Sequence, residues 1–251
     1  GLFDLSQIVG KDNIGSITEV KGAAYDKKTG IARYSAAVEK PSYTYATGSN
    51  AVSLTVEFTL DMSKLPKSAF TDVTAGAWYY DAALYAYNKG LMVGTSDTAF
   101  GPDVPMTRAM LVAVLHRLAG SPSVSGKMPF TDVEADTWYT EAVLWAYQND
   151  IVAGTSDTTF EPLSNITREQ IVAIFSRYTA KFAPDKAKAA AELTAFADSA
   201  SVSDWAVNDM KWAVAQKIIS GSENAGKFYL LPQDNASRAQ VATILMQYCA
   251  L

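Results

Sequence analysis

Cysteine and histidine are almost missing. The 251 residues contain one of each, Cys249 and His116. A single cysteine excludes an internal disulfide and any cysteine-based zinc site. No Ser/His/Asp elbow, P-loop or G-x-G-x-x-G appears, and nothing singles out a pair of carboxylates for glycoside hydrolysis. Basic runs are missing too: 21 Lys and Arg face 26 Asp and Glu, a net charge of −5, which argues against a nucleic-acid partner. No stretch approaches the roughly 20 uninterrupted apolar residues of a membrane span. The opening Gly1-Leu2-Phe3-Asp4 lacks the basic region and apolar core of a signal peptide and does not begin with Met, so a processed product or an excised fragment is expected. What is present is ordinary globular material, 49% hydrophobic and 19% charged, sufficient to bury a core.

That material is repetitive, and a repeat decides the fold before anything else does. F-T-D-V-x4-W-Y occurs at Phe70–Tyr79 and again at Phe130–Tyr139, with a looser copy from Phe196 to Trp205. The tryptophan lies 16 residues before a glycine in every copy: Trp78 and Gly94, Trp138 and Gly154, Trp205 and Gly221. A proline lies 6 residues before an arginine just as regularly, giving Arg108, Arg168 and Arg238. Extra residues in the third copy fall at Lys181–Leu193 and Glu223–Tyr229.

Each unit reads as helix, loop, helix. The first helix carries aromatics seven apart on one face: Trp78/Tyr85, Trp138/Trp145 and Trp205/Trp212. The second has the apolar stripe Leu111/Val114/Leu115/Leu118, repeated as Ile171/Ile174/Phe175/Tyr178 and Val241/Ile244/Leu245/Tyr248. A two-helix unit cannot bury such a stripe alone, so the three should pack together. The first sixty-odd residues differ. From Ala51 to Leu60, Val52, Leu54, Val56, Phe58 and Leu60 alternate with polar residues, the pattern of a half-buried strand. Ile17–Tyr25 and Ile31–Val38 flank a turn-rich Asp26–Gly30, a hairpin connection.

The arginines pose the physical question. Thr167 with Gln170 and Ser237 with Gln240 fit the capping box, whereas Thr107 is followed by Met110 and keeps only half of it. An arginine one residue further in meets the positive end of the helix dipole, a mildly unfavourable place for a cation. Free amides at a helix start, the dipole and a guanidinium fork together would hold a carboxylate or phosphate. The alternative is an ion pair with Asp72, Asp132 or Asp198 at the head of each unit.

F-T-D-V-x4-W-Y, then G-T-S-x-T-x-F-x-P, then I-T-R-E-Q before an apolar helix resembles the S-layer homology repeat. Three copies cover about three quarters of the chain. The resemblance implies a mainly α fold, three helix-loop-helix repeats in a pseudo-threefold bundle, preceded by a small antiparallel β segment. The boundaries expected are 1–64 for the β segment, which could end a larger β domain, 65–124 and 125–182 for the first two repeats, and 183–251 for the third with its linker. It further implies non-covalent anchoring of a surface protein to the bacterial cell wall. The ligand would be an acidic secondary cell-wall polysaccharide ending in a pyruvylated amino sugar, held in inter-repeat grooves outside the cell. Family positions map onto Arg108, Arg168 and Arg238; Trp78, Trp138 and Trp205; Asp72, Asp132 and Asp198; Gly94, Gly154 and Gly221; and Thr95 and Thr155. No copy has the family's full T-R-A-E. The third copy departs most, with Ser237 for Thr, Ser222 where the others have Thr95 and Thr155, and an insertion. Arg108 and Arg168 are therefore the arginines expected to serve.

Other readings stay beside this one. A tryptophan at the start of a helix can be core rather than sugar platform. The repeats could be a structural lattice or partner-contact module without glycan binding, or the C-terminal part of a surface hydrolase or adhesin. No cofactor, metal or catalytic residue is expected in the residues present. His116 aligns with Ser176 and Met246 and reads as packing or surface variation. G-T-S-D-T-T-F-E-P lacks the central glycine and terminal glutamate of a calcium loop and reads as a turn, with Asp97 and Asp157 forming Asx-turns.

Overall fold

The computed structural model describes residues 2–9, 11–21, 23–26, 31–34, 42–47, 52–57 and 70–251. It separates into two units, Gly1–Ala69 and Phe70–Leu251. In the first, β1 (Leu2–Asp4) precedes a one-turn helix α1 (Ser6–Val9), and β2 (Ile17–Lys21), β3 (Ala23–Asp26), β4 (Ile31–Tyr34), β5 (Ser42–Thr47) and β6 (Val52–Glu57) follow. They form two three-stranded antiparallel sheets, ordered β1-β4-β3 and β2-β5-β6. The hairpin expected about Asp26–Gly30 is the β3–β4 pair, with Asp26 opposite Ile31; residues 27–30 lie outside the described residues. The run read as Ile17–Tyr25 is divided between the two sheets, and β5, whose Tyr43 and Tyr45 alternate with Ser42 and Thr44, is an additional strand. Pairing Tyr43 with Val56 and Tyr45 with Leu54 places β6 in register against it. Leu5, Ile17 and Tyr43 are buried and form a small core of their own. Residues 58–60 and 35–38, also read as strand, are outside the described residues.

The second unit is helical. Each copy contributes a short helix and a longer one: α2 (Tyr80–Asn88) with α3 (Arg108–Leu118), α4 (Thr140–Gln148) with α5 (Arg168–Phe182), and α6 (Val207–Ala215) with α7 (Arg238–Tyr248). The apolar stripes are where periodicity put them. Leu111, Ile171, Phe175, Val241 and Leu245 have no exposed surface, and Trp145 and Trp212 are also core. The first aromatic of each pair is not helical in the α sense. Trp78, Trp138 and Trp205 precede their helices in tight turns closed by i→i+3 bonds, such as Tyr80 N to Ala77 O at 3.0 Å and Ala206 N to Ser203 O at 2.8 Å. The 223–229 insertion is a hairpin of β7 (Ser222–Asn224) and β8 (Lys227–Tyr229), whose turn residues Ala225 and Gly226 both have positive φ, as a two-residue primed turn requires.

Packing runs between copies rather than within them. The α2 helix packs on α7, α3 on α4, and α5 on α6. The loops before the long helices meet in a closed set of three backbone bonds. Met106 N donates to Ala236 O (2.8 Å), Ala236 N to Ile166 O (3.2 Å), and Ile166 N to Met106 O (2.9 Å). Met106, Ile166 and Ala236 are fully buried around this junction. No copy could form it alone.

The capping boxes of Thr167/Gln170 and Ser237/Gln240 are both complete, while Thr107 accepts from Met110 N without a reciprocal partner. Ser237→Ala is therefore expected to cost about 1 kcal/mol. Thermal unfolding should register this as a fall of roughly 2–4 °C.

Candidate functional site

The arginines do not sit beside free amides. Arg108 N donates to Ser164 O and Ala109 N to Pro162 O; Arg168 N and Glu169 N donate to Asp234 O and Pro232 O; Arg238 N and Ala239 N donate to Val104 O and Pro102 O, all at 2.9–3.0 Å. With the third amide taken by the Thr or Ser cap, and the cap's own amide by Gln170 or Gln240, α5 and α7 have no first-turn donor left for a ligand; at α3 only the Thr107 amide has no partner among the described residues. The expected helix-terminus anion site is corrected on this ground: the loop carbonyls of the next copy already fill it.

The same loops explain why a cation is tolerated there. Each guanidinium crosses into the following copy and donates Nε to one carbonyl: Arg108 to Phe160 O (2.8 Å), Arg168 to Leu230 O (2.7 Å), and Arg238 to Phe100 O (2.9 Å). Arg108 and Arg238 also lie over the rings of Phe160 and Phe100, at 4.6 and 4.8 Å from the centroid. Leu230 replaces the aromatic in the third copy. All three arginines are buried, and burial pushes their pKa values below the ordinary one. Acids of the next copy oppose the shift, Glu161 and Asp132 at Arg108, Asp234 and Asp198 at Arg168, and Asp72 at Arg238. Among the described residues none of the three forms an ion pair, so the pairing within a unit that the sequence left open is not observed.

The aspartates hold the other side of the same peptides. Asp72 accepts from Phe100 N and Gly101 N, Asp132 from Phe160 N and Glu161 N, and Asp198 from Leu230 N and Leu231 N, at 2.7–2.8 Å. One residue per loop is thus gripped at its amide by its own copy and at its carbonyl by the preceding one. The glycines serve this loop. A Cβ on Gly94 would lie 2.6 Å from the Phe70 ring, and one on Gly154 2.7 Å from Phe130. Thr95 and Thr155 are exposed and bond across the loop to Ala99 O and Thr159 O. The turn hydroxyls are Ser96 and Ser156, which accept from Ala99 N and Thr159 N; no side-chain bond of Asp97 or Asp157 is observed among the described residues.

The tryptophans are surface residues: Trp78 is 66% exposed, Trp138 57% and Trp205 54%. One of them shares a cleft with an arginine. Trp78 of the first copy, Arg168 of the second, and Gly221 and Ser222 of the third line a cavity of about 310 Å³, floored by Ile218 and Ile219. The cleft thus takes a residue from every copy, on the loop whose departures from the family pattern are largest. At Arg108 and Arg238 a terminal nitrogen, Nη2, donates to Ala153 O and Val93 O respectively. Arg168 has no such bond: among the described residues neither of its terminal nitrogens has a partner.

Sequence reading missed the opposite wall of the cleft, Gln240, Thr243 and Gln247. Their 3- and 4-residue spacing on one helix face was the available signal, overlooked because Gln240 was occupied by its capping role. It also missed Glu169. This buried carboxylate accepts from Ser203 N, Ser203 Oγ and Gln233 Nε2, tying α5 to the turn that carries Trp205.

Three helix–loop–helix copies with this inter-copy Arg–Asp grip define a tandem repeat module. The chain belongs to the S-layer homology domain family, whose model matches at residues 69–109, 129–172 and 195–242. It is 29% identical to an endoglucanase of Bacillus sp. (strain KSM-635) over 73% of this chain and 19% of that protein. It is 30% identical to an amylopullulanase of Thermoanaerobacterium thermosulfurigenes over 67% of this chain and 9% of that protein. A third relative is the surface-layer 125 kDa protein of Lysinibacillus sphaericus, at 31% over 62% of this chain and 13% of that protein. The chain thus spans less than a fifth of the length of these relatives. The repeats themselves are a non-catalytic module that anchors surface proteins to the cell wall, and the location is extracellular, at the cell wall or cell surface. No helix among the described residues is long and apolar enough to cross a membrane.

Proposed function

We propose that the three repeats form a pseudo-threefold bundle that binds an acidic, pyruvylated secondary cell-wall polysaccharide and so anchors a surface protein without a covalent link. The primary site is the cleft of Trp78 and Arg168. The observation that carries this reading is the state of Arg168. Its guanidinium is buried and fixed at Nε, yet among the described residues both terminal nitrogens are unpartnered where the cleft opens beside an exposed indole. A ketal-borne carboxylate accepts two parallel bonds from such a fork. The apolar face of a sugar ring lies on the indole, while Gln240, Thr243 and Gln247 offer donors and acceptors to its hydroxyls.

The protein is expected to sediment with purified wall sacculi and to remain in solution with sacculi stripped of their attached polysaccharide. Undiminished sedimentation with stripped sacculi would sink this reading. It would favour a contact module without glycan binding, for which the bonds of Arg108 and Arg238 to loop carbonyls speak. A role as the wall-binding part of a surface hydrolase draws on the relatives named endoglucanase and amylopullulanase and is compatible with either outcome.

A further inference from the structure

The first helices of the three copies are not held equally. The α4 helix buries Ala142, Val143, Leu144, Trp145 and Ala146, and α6 buries Met210, Trp212 and Ala213, whereas α2 buries Ala82, Ala83 and Ala86 alone. At matching positions Ala83 stands where the others have Val143 and Met210, and a half-buried Tyr85 where they have Trp145 and Trp212. Apolar burial stabilises in proportion to its area, so α2 is the most weakly seated of the three. Its partner differs as well. The α3 and α5 helices each pack on the first helix of the next copy, but α2 packs on α7, from the other end of the helical unit. Both flanks of α2 are fixed independently of that contact. Before it, Asp72 accepts from Phe100 N and Gly101 N, both at 2.8 Å; after it, Leu91 O accepts from Arg117 Nη1 at 3.1 Å.

Trp78 travels with this helix. It lies two residues before α2, in the turn closed by Ala77 N to Thr74 O at 3.1 Å and Tyr80 N to Ala77 O at 3.0 Å. Gln240, Thr243, Ile244 and Gln247, which line the same cleft, all belong to α7. The cleft is thus assembled across the seam in which the first helix buries least. We propose that residues 73–88 form a latch, which opens from α7 as one segment between its fixed flanks, and that an acidic sugar bound between Trp78 and Arg168 holds it shut. Opening of this kind is what weakly packed elements undergo while the rest of a domain stays folded. It dismantles the cleft, because Trp78 leaves Gln240, Thr243 and Gln247 while Arg168 stays gripped on Leu230 O. The sugar therefore binds the closed form, and binding and closure reinforce each other by mass action. Attachment to the wall and completion of the three-copy ring become one equilibrium.

The inference rests on the function proposed above, and the test separates the two. Amide hydrogen exchange is followed by NMR at Ala82, Ala83 and Ala86 of α2, with Ala142 and Ala146 of α4 and Ala213 of α6 as internal standards. In the free protein the α2 amides should exchange at least about tenfold faster than the standards, the difference expected from roughly two buried methylenes. A pyruvyl-ketal amino sugar at about 100 times its Kd should slow the α2 amides by about 100-fold. Equal exchange in the three helices overturns the latch and leaves wall anchoring standing. Exchange in α2 that is not slowed, although the sugar shifts the Gly221 and Ser222 amide resonances, overturns the hold of ligand on latch and again leaves anchoring standing. No binding of the sugar overturns both.

Discussion

Arg168→Ala is expected to lower affinity for a pyruvylated amino sugar by about 10- to 150-fold, the 1.5–3 kcal/mol of a hydrogen bond to a charged partner. The loss should be larger than for Arg108→Ala or Arg238→Ala. Those two arginines already give Nη2 to Ala153 O and Val93 O, whereas both terminal nitrogens of Arg168 are uncommitted among the described residues. The substitution also removes the Nε bond to Leu230 O, so some stability will go with it. Arg168→Lys keeps the charge but loses the fork, and is expected to recover little of the binding. Circular dichroism on each variant separates a lost site from a lost fold. If Arg168→Ala is folded and binds like the unchanged protein, the guanidinium is a loop clamp and nothing more.

The fold of the repeats was legible because their signals are periodic and local. The stripe from Leu111 to Leu118 and its two copies fix which face is buried, and Thr167/Gln170 and Ser237/Gln240 fix where the helices begin. What was not legible is which helix packs on which. Nothing in the α2 sequence says that its neighbour is α7, because that choice is made by the ring of bonds among Met106, Ile166 and Ala236. Their side chains carry no pattern beyond being apolar. In the first unit β6 was legible from strict alternation, while β5 was not, its Tyr–Thr–Tyr being too short to separate from loop.

The site was legible as a set of residues and not as an arrangement. Spacing picked out Trp78, Arg168 and Gly221, but as members of three different copies of one motif. They come together because the second copy lends its arginine to the third, and the first copy's tryptophan lines the same cleft. The helix-start anion site failed for a related reason. From sequence those amides look free, and only tertiary structure reveals the carbonyls of Ser164, Asp234 and Val104 bonded to the first of them. The solvent exposure of the tryptophans was likewise invisible, since a residue in the turn before a helix follows none of its periodicity.

The largest effect on stability is expected from Asp198→Ala. Asp198 accepts from Leu230 N and Leu231 N, both partly buried, and Leu231 sits at φ 53°, a left-handed conformation that a leucine adopts only under constraint. Removing the carboxylate orphans two amides at about 1–3 kcal/mol each. It also releases a residue whose left-handed geometry costs about 1–2 kcal/mol. The loop would relax toward ordinary φ values, softening the penalty and withdrawing Leu230 O from Arg168. A net loss of about 2–4 kcal/mol follows, a fall of roughly 5–15 °C in the unfolding midpoint. Because Asp198 and Arg168 hold opposite ends of one peptide, the two losses should not add. In a double-mutant cycle the second substitution should cost less than it does alone, by roughly 0.5–3 kcal/mol. Strict additivity would mean that carboxylate and guanidinium act on the loop independently, and that the grip joining the second copy to the third is not cooperative.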